Sequence, residues 1–352
     1  MANNNNKDKC NVPNLRFPEF SGEWENCQIA NILSIGSGRD YKHLEKGNIP
    51  VFGTGGYMTS VNECIYDGET TFIGRKGSIN KPFYYNGKFW TVDTLFYTHS
   101  FNKTTPKFVY CLFQTINWLR YNEASGVPSL SKDTIEKIKV FIPQLDEQRK
   151  ISEMLSVIDE RIATQNKIIY KLKSLIRGIA QNMVHRGKPN VRLSDCMICN
   201  SSTLQESEVL ESGTYPVYGA NGIVGYLDCY ATLNEAIYII KDGSGVGTVF
   251  YVAGKCSAAG TLNTLQAKEG YSLQYLYYLL TVFNFEPYKT GMAIPHIYFK
   301  DYGKAKVFCP SHSEQFKYTK LLSTIDSKLL AEQNALVNYN LQKQYLLRQM
   351  FI

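Results

Sequence analysis

The stretch Phe141-Ile142-Pro143-Gln144-Leu145-Asp146-Glu147-Gln148 defines the organisation of this chain, because a close copy of it occurs once more. The copy is Phe308-Cys309-Pro310-Ser311-His312-Ser313-Glu314-Gln315. A second marker, Ile49-Pro50-Val51-Phe52-Gly53, returns as Tyr215-Pro216-Val217-Tyr218-Gly219, and its two copies are separated by nearly the same distance along the chain as the copies of the first. Two markers lie far apart in the sequence, yet the copies of each are separated by nearly the same number of residues. This indicates that the whole length of the chain was duplicated. Such a chain is expected to fold as two equivalent halves with two equivalent surfaces.

A heptad pattern of apolar residues follows each copy of the quoted stretch, in segments that contain almost no Gly or Pro. The first pattern has Gln165 in one of its places, and its apolar members are Ile151, Leu155, Ile158, Ile162, Ile169, Leu172, Ile176, Ile179 and Met183. The second has Glu332 and Lys343 in polar places, and its other members are Tyr318, Leu322, Ile325, Leu329, Leu336, Tyr339, Leu346 and Met350. Alternating steps of four and three residues predict long helices that pack along a partner helix.

The order of segments fixes the direction of these two helices if they pair with each other. The first runs from the first globular segment to the second, and the second runs back, so the pair is expected to be antiparallel. At about 1.5 Å per residue each helix would be roughly 50–60 Å long. Gln165 either pairs with Glu332 or Gln333 and fixes the register, or faces solvent at a slight break in the pattern.

The remaining segments, residues 15–143 and 186–310, are rich in Gly, Tyr, Thr and Asn and are predicted to be compact α+β globules. Strand-like runs bounded by turns occur at Thr70–Ile73, Trp90–Thr98, Ala236–Ile240 and Thr248–Val252. Each globule also has one short aromatic helix, predicted over Lys107–Tyr121 and over Leu273–Phe285, with Thr105 and Ser272 as the capping residues. The chain therefore divides into a polar tail (1–14), globule one (15–143), helical spacer one (144–185), globule two (186–310) and helical spacer two (311–352).

Bulk composition indicates an ordinary globular protein with a mild positive charge. The 352 residues include 38 Lys and Arg against 31 Asp and Glu, a net charge of +7 that is compatible with a polyanionic partner. Nine cysteines, an odd number, argue against a disulfide framework, and Cys196-x-x-Cys199 lacks the second pair of ligands that a zinc site needs. The Asn-rich start is not a signal peptide, and no apolar run is long enough to span a bilayer, so a cytoplasmic location without membrane attachment is expected.

Catalytic motifs are missing from the sequence. It has no phosphate-binding G-x-x-x-x-G-K-[ST] loop and no G-x-S-x-G elbow, and its five histidines are scattered. The adenine methyltransferase loop [DN]-P-P-[YF] is also absent. The chain is therefore predicted to be a non-catalytic binding or targeting component.

At this point the pattern resembles the DNA-specificity subunits of type I restriction–modification systems over nearly the whole chain. The resemblance rests on the alternation of globule and long helix, and on the two P-x-x-x-E-Q helix entrances at Pro143–Gln148 and Pro310–Gln315. A Gly-Ser turn also stands at matching places, as Arg75-Lys76-Gly77-Ser78-Ile79 and as Lys241-Asp242-Gly243-Ser244-Gly245. The opening segment Pro13–Trp24 is similar as well.

The resemblance implies a specific function. Each globule would be a target recognition domain that reads half of a split, asymmetric double-stranded DNA sequence, and the helices would set the spacing. Two modification subunits would bind the helices and supply adenine methylation with S-adenosylmethionine, while restriction subunits would add ATP- and Mg-dependent translocation and cleavage. The chain itself would hold no cofactor and no metal.

Sequence readout needs Arg, Lys, Asn, Gln, Ser or His side chains on loops that a scaffold holds in place. The candidates in globule one are Arg39, Lys42, Arg75, Lys76, Ser78 and Lys81. The candidates in globule two are Asn221, Lys241, Ser244, Lys289 and His296. The alternative for each is a solvated turn, and for His296, beside Pro295, a structural role is preferred.

Docking of the modification subunits is expected through exposed helix faces, with Arg161, Lys167 and Lys173 as the candidate residues. The competing interpretation is a self-contained coiled coil. A rival interpretation of the whole chain is a scaffold, or a carbohydrate-binding protein that uses its 25 tyrosines, without preference for DNA. Another rival is a free-standing enzyme with a novel site in a globule, and the missing catalytic motifs count against it.

Overall fold

A computed structural model describes residues 11–352, and these divide into two compact units. Unit 1 is the described part of Met1–Gln165 together with Ala335–Ile352, and unit 2 is Asn166–Asn334. Within residues 11–352 no helix combines the length and the apolar character that crossing a membrane would require.

Unit 1 is built mainly from strands, with three short α-helices and a 3-10 helix at Trp118–Tyr121. In chain order its elements are β1 (Glu25–Gln28), α1 (Ile29–Ile32), β2 (Ser34–Ser37), β3 (Lys46–Gly53), β4 (Gly56–Val61), β5 (Tyr66–Gly74), β6 (Phe83–Thr91), β7 (Leu95–His99), α2 (Pro106–Thr115), α3 (Lys132–Lys137) and β8 (Lys139–Ile142). The long helix α4 (Leu145–His185) follows and continues into unit 2. Six strands form one sheet in the order β2-β7-β5-β6-β3-β4, and β1 pairs with β8.

Unit 2 repeats this plan with shorter strands, and it has 3-10 helices at Glu206–Glu208 and Glu286–Tyr288. Its elements are β9 (Val191–Arg192), α5 (Leu193–Cys196), β10 (Met197–Ser201), β11 (Tyr215–Gly219), β12 (Gly222–Leu227), β13 (Glu235–Ile240), β14 (Val249–Ala253), β15 (Ser257–Ala258), β16 (Leu262–Ala267), α6 (Leu273–Val282), α7 (Phe299–Tyr302) and β17 (Lys306–Val307). The second long helix, α8 (His312–Met350), follows β17.

The duplication is visible in the strand pairing. In unit 1 a parallel contact joins β3 to the end of β6, with Val51 beside Trp90. In unit 2 the matching parallel contact joins β11 to β15, with Val217 beside Ser257. The longer strands of unit 2 pair in the orders β10-β16-β13-β14 and β12-β11-β15, so the single large sheet of unit 1 is divided in two here. The predicted α+β fold with two repeated domains and long helices is confirmed.

The two long helices pack antiparallel in both units. In unit 1 the start of α4 shares a core with the end of α8, where Ile151 and Leu155 pack in one cluster with Leu346 and Met350. Asp159 of α4 also forms an ion pair with Lys343 of α8 at 2.5 Å. In unit 2 the end of α4, including Met183, shares a core with Leu322 near the start of α8. Every residue of the two predicted heptad patterns is buried or half-buried, which confirms the seams.

Gln165 is 7% exposed, so the alternative that it faces solvent is wrong. A buried amide needs hydrogen-bonding partners, and Gln165 does take part in an interaction. Its pairing with Glu332 or Gln333 stays a prediction.

Two sequence predictions were too long. Helix α2 ends at Thr115 instead of continuing to Tyr121, and the indole Nε1 of Trp118 donates a hydrogen bond to Phe113 O (2.8 Å) where the chain turns. Helix α6 ends at Val282, and the Asn284 side chain accepts from Glu286 N (3.1 Å) in the turn beyond it. Both helices end with β-branched residues, which lower helix propensity. The predicted caps are confirmed, because Thr105 accepts from Phe108 N and Ser272 from Tyr275 N, each at 3.3 Å.

The predicted strand Trp90–Thr98 is two strands. Strand β6 ends at Thr91 and β7 begins at Leu95, with a turn at Val92–Thr94 between them. Val92 N donates to Phe52 O (3.1 Å) and Leu95 N donates to Val92 O (3.0 Å), so the chain makes a tight turn here, and β6 and β7 both pair antiparallel with β5. β-Branched and aromatic residues, which favour strands, occur on both sides of the turn, and for that reason the sequence did not reveal it.

The glutamine of each helix entrance joins its long helix to the start of the aromatic helix. The Gln148 amide oxygen accepts from Thr104 Oγ1 (3.0 Å) and Thr105 N (3.1 Å), and its Nε2 donates to Lys103 O and Pro143 O, both at 2.8 Å. Gln315 repeats this in unit 2, accepting from Ser272 N and donating to Pro310 O, both at 2.9 Å. The partners Thr105 and Ser272 are the helix-capping residues, so each glutamine fixes where the aromatic helix begins.

Replacing Gln148 by Ala is expected to destabilise unit 1 by about 2–4 kcal/mol, because buried partners lose their hydrogen bonds. Urea denaturation followed by tryptophan fluorescence is the measurement, since the tryptophans of the chain, Trp24, Trp90 and Trp118, all lie in unit 1. Gln144→Ala, at an exposed position one turn earlier, is the control and should change stability by less than about 0.5 kcal/mol. Equal effects of the two changes would contradict the assigned role.

Candidate nucleic-acid interface

The Gly-Ser turn of unit 1, Arg75–Ile79, follows β5 and is held from both sides by backbone hydrogen bonds. On one side Arg75 N and Lys76 N donate to Thr94 O, at 2.8 and 3.3 Å. On the other side Gly77 N donates to Pro128 O (2.8 Å) and Leu130 N donates to Arg75 O (2.9 Å). The side chains of Arg75, Lys76 and Ser78 are exposed. A fixed backbone thus presents basic and hydroxyl side chains to solvent.

The glycine of each Gly-Ser turn is required by its backbone conformation. Gly77 has φ +86° and Gly243 has φ +96°, in the left-handed region that other residues rarely adopt. Open space surrounds both positions, since a Cβ on Gly77 would meet only Thr54 Oγ1 at 3.8 Å and one on Gly243 nothing within 4 Å. Glycine is therefore required at these two positions by the positive φ angle and not by a lack of space for a side chain.

Arg39 is attached to the same connection as Arg75. Arg39 N donates to Thr91 O (2.8 Å), and its own carbonyl accepts from the Trp90 indole (3.0 Å), while Arg75 is bound to Thr94. Both arginines therefore flank the turn between β6 and β7. Burial raises the pKa of the Tyr97 phenol and the nearby charge of Arg39 opposes that rise, which also places the guanidinium close to this part of the sheet.

The two other candidates of unit 1 lie on neighbouring connections. Lys42 is exposed on the turn that follows Arg39, where its amide donates to the Asp40 carboxylate at 3.3 Å. Lys81 is exposed on the connection from β5 to β6 that also contains the Gly-Ser turn. The structure thus gathers the basic candidates of globule one onto three connected turns.

Unit 2 repeats three of the four backbone hydrogen bonds of the Gly-Ser turn. Lys241 N donates to Thr261 O (3.0 Å), Gly243 N donates to Pro295 O (3.0 Å), and Ile297 N donates to Lys241 O (2.9 Å). Lys241 itself is half-buried and its Nζ donates to Ser202 O at 3.4 Å, whereas Ser244 is exposed. Arg75 makes a contact of the same length, from Nη1 to Asp93 O (3.4 Å), so the two basic groups differ in exposure and not in having a backbone partner.

The other candidates of unit 2 differ in whether their side chains already have partners within the protein. Asn221 is exposed on the tight turn between β11 and β12. Lys289 is paired with Glu286 at 2.5 Å, and the His296 ring Nδ1 lies 2.7 Å from the Asp242 carboxylate. The backbone of His296 also pairs with Thr290 in both directions, at 2.7 and 2.9 Å. His296 therefore holds the loop against the turn, which is a structural role.

The docking candidates Arg161, Lys167 and Lys173 are all exposed on α4. Arg161 lines a shallow groove in unit 1 together with Glu160 and Tyr339. Lys173 lines one in unit 2 together with Tyr277 and Asp326.

Sequence reasoning missed the loop that closes on each Gly-Ser turn. These loops are residues 125–130 and 291–297, and they contain the prolines whose carbonyls bind the turn glycines. A signal was available, because Pro128 returns as Pro295 with the same offset that relates Pro143 to Pro310 at the helix entrances. Each candidate interface is thus a pair of loops at one edge of a domain, not a single turn.

The chain thus has two equivalent α+β domains, each with an exposed turn-and-loop pair and each packed on the long antiparallel helices. These features define a class of binding proteins with two equivalent domains. The family model for the type I restriction modification DNA specificity domain matches residues 21–174 and again residues 188–339, and the chain belongs to this family. The resemblance inferred from the helix entrances and Gly-Ser turns is confirmed.

Individual relatives agree with this assignment. A Haemophilus influenzae protein named as putative type I restriction enzyme specificity subunit S.HindORF215P is 31% identical over 98 residues, 27% of this chain and 26% of the relative. The type I restriction enzyme EcoprrI specificity subunit of Escherichia coli is 26% identical over 117 residues, 33% of this chain and 29% of the relative. The matched region therefore spans less than a third of either curated relative.

A solved structure extends the comparison to nearly the whole chain. The crystal structure of the type I restriction–modification system S subunit from M. genitalium superposes with a TM-score of 0.72 and covers 97% of this chain and 99% of that chain. At 18% sequence identity this likeness establishes the fold.

Arg75→Ala and Lys241→Ala are each expected to weaken specific DNA binding by about ten- to a hundredfold, since one good base contact contributes about 1–3 kcal/mol. The measurement is a titration of DNA binding at fixed salt, made on the complex that copurifies with the chain from its host. Lys107→Ala, which removes an exposed lysine from the start of α2, is the control. Unchanged affinity together with an unchanged methylation pattern in both variants would refute the prediction.

Proposed function

We propose that this chain is the DNA-specificity subunit of a type I restriction–modification complex. Each domain reads one half of a bipartite double-stranded target through its Gly-Ser turn and the loop bound to it, and the paired helices set the half-site spacing. The observation that carries this proposal is the repetition of the same hydrogen-bonded turn and loop in both domains of a chain that belongs to this family.

Direct readout favours such an arrangement. Phosphate contacts position a protein on DNA, while side chains on well-held loops distinguish the base edges. The two turns share one backbone frame but carry different residues, Arg75-Lys76 in one and Lys241-Asp242 in the other. Two domains that share the backbone conformation of the turn but differ in its side chains read two different half-sites, so the target is asymmetric.

The partners follow from the duplicated helix entrances. Gln148 and Gln315 build two similar junctions between a domain and a long helix, and two similar surfaces suit two copies of one modification subunit. In this proposal the modification subunits bring S-adenosylmethionine, the restriction subunits bring ATP and Mg-dependent cleavage, and this chain contributes targeting without catalysis.

Methylome sequencing of a host with and without this chain tests the proposal. One bipartite, asymmetric adenine-methylated motif should disappear when the chain is deleted and return on complementation, because the methyltransferase loses its targeting component. A chain with Gln144→Ala should complement as well as the unaltered chain. An identical methylome in both hosts would reject the function in favour of a scaffold or carbohydrate-binding role.

Co-purification tests docking through the helices. The triple charge reversal Arg161→Glu, Lys167→Glu and Lys173→Glu should lower recovery of the modification subunit several-fold, because these exposed cations line one long helix. Lys139→Glu, an exposed lysine on β8, is the matched control and should retain full recovery. Full retention by the triple variant would exclude docking through these three positions.

A further inference from the structure

The loop that closes on each Gly-Ser turn carries an exposed apolar side chain at the same place in both domains. Val127 is 67% exposed and directly precedes Pro128, and Ile294 is 58% exposed and directly precedes Pro295. The offset between the two positions is the one that relates the prolines and the helix entrances, so they are equivalent in the duplication. In both domains the proline carbonyl accepts the hydrogen bond from the turn glycine, so the apolar residue stands next to the basic turn.

Single exposed apolar residues are common on protein surfaces, and Met292, 107% exposed in the loop of unit 2, has the polar Ser125 as its counterpart. Val127 and Ile294, by contrast, recur at one position and are placed by a built frame. In unit 1 Asn122 Oδ1 accepts from Ala124 N (3.1 Å) and Ser129 N (2.9 Å), and Glu123 N donates to Ser129 O (3.0 Å). These bonds fix the two ends of the loop whose outer part carries Val127.

The loop in unit 2 is fixed in a different way. Thr290 and His296 exchange backbone hydrogen bonds across its base, and the His296 ring binds Asp242 of the turn. Gly291, at φ +87°, brings the chain so close to Ile294 O that a Cβ would lie 2.4 Å from it. Different side chains thus produce the same result, an aliphatic residue held outward beside the turn.

The neighbours of these residues indicate what they contact. Arg75 and Lys76 stand on the turn bound to the Val127 loop, and Lys241 on the turn bound to the Ile294 loop. Cationic side chains contact phosphates or base edges, whereas an aliphatic side chain on the same edge has only apolar groups of the bases to pack against. The apolar feature of the major groove is the thymine C5-methyl group, which aliphatic side chains recognise. A target that is methylated on adenine contains at least one A·T pair in each methylated half.

We infer that Val127 and Ile294 are specificity-determining residues that contact thymine methyl groups, one in each half-site. The inference rests on the proposed function and deepens it, because it assigns one residue of each domain to one chemical feature of the target. It also predicts that the two contacts are independent, since each loop is held entirely within its own unit.

Deoxyuridine substitution is the direct test, because uracil differs from thymine only by the missing methyl group. The target motif is first read from the methylome, and binding of the chain in complex with its modification subunit is then measured on duplexes with uracil in one half-site at a time. The unaltered complex should lose about three- to fivefold in affinity for each half, the contribution of about one buried methyl group. Val127→Ala should abolish the uracil effect in one half only, and Ile294→Ala in the other half only.

Ile198→Ala is the matched control, since Ile198 is also a partly exposed isoleucine of unit 2 but lies on β10 (46% exposed). It should leave both uracil effects intact. The inference is overturned if Val127→Ala and Ile294→Ala keep the uracil effects of the unaltered complex, or if they release the modification subunit instead, which would make these loops protein-docking sites. Failure of the unaltered complex to bind any methylated motif would refute the proposed function itself and is distinguishable from both results.

Discussion

Two buried glutamine amides, Gln148 and Gln315, hold each domain to its long helix, and the positions of the other elements follow from that attachment. Each amide lies at the first turn of a long helix and reaches the capping residue of an aromatic helix, Thr105 or Ser272. The domain and the helix are therefore positioned by one side chain that is almost fully buried, with 0% and 2% exposure. A buried amide tolerates few geometries, because every unmet donor or acceptor costs free energy.

The neighbouring glutamate shows where the two halves stop being equivalent. Glu147 is buried, forms a bidentate pair with Arg16 (2.8 and 2.7 Å) and accepts from the Trp24 indole (3.3 Å), whereas Glu314 is exposed. Trp24 in turn contacts Phe351 of the C-terminal segment with ring centroids 6.0 Å apart. Unit 1 thus fastens the N-terminal segment and the end of α8 to its helix entrance, and the equivalent glutamate of unit 2 has no such burial.

The domain edges that carry the Gly-Ser turns follow the opposite rule, because their backbone contacts are equal and their side chains differ. The Gly-Ser turns make the same three backbone contacts, while the residues around them differ in charge, size and freedom. Backbone hydrogen bonds do not depend on side-chain identity, so this frame can keep its shape while the surface that meets a ligand changes. Under the proposed function, a duplicated chain with two unlike edges would read an asymmetric target.

Offsets and heptads were enough to establish the duplication, the antiparallel helices, the seam residues and the Gly-Ser turns, because these signals are local and periodic. Sequence signals overestimated the length of both aromatic helices and missed the turn at Val92–Thr94, since they do not register where backbone hydrogen bonding ends. The binding of Gly77 to Pro128, and of Gly243 to Pro295, became visible only in the folded chain. The return of Pro128 as Pro295 marked a duplicated position but not its partner, because hydrogen bonds between backbone atoms do not select the side chains of the residues that they join.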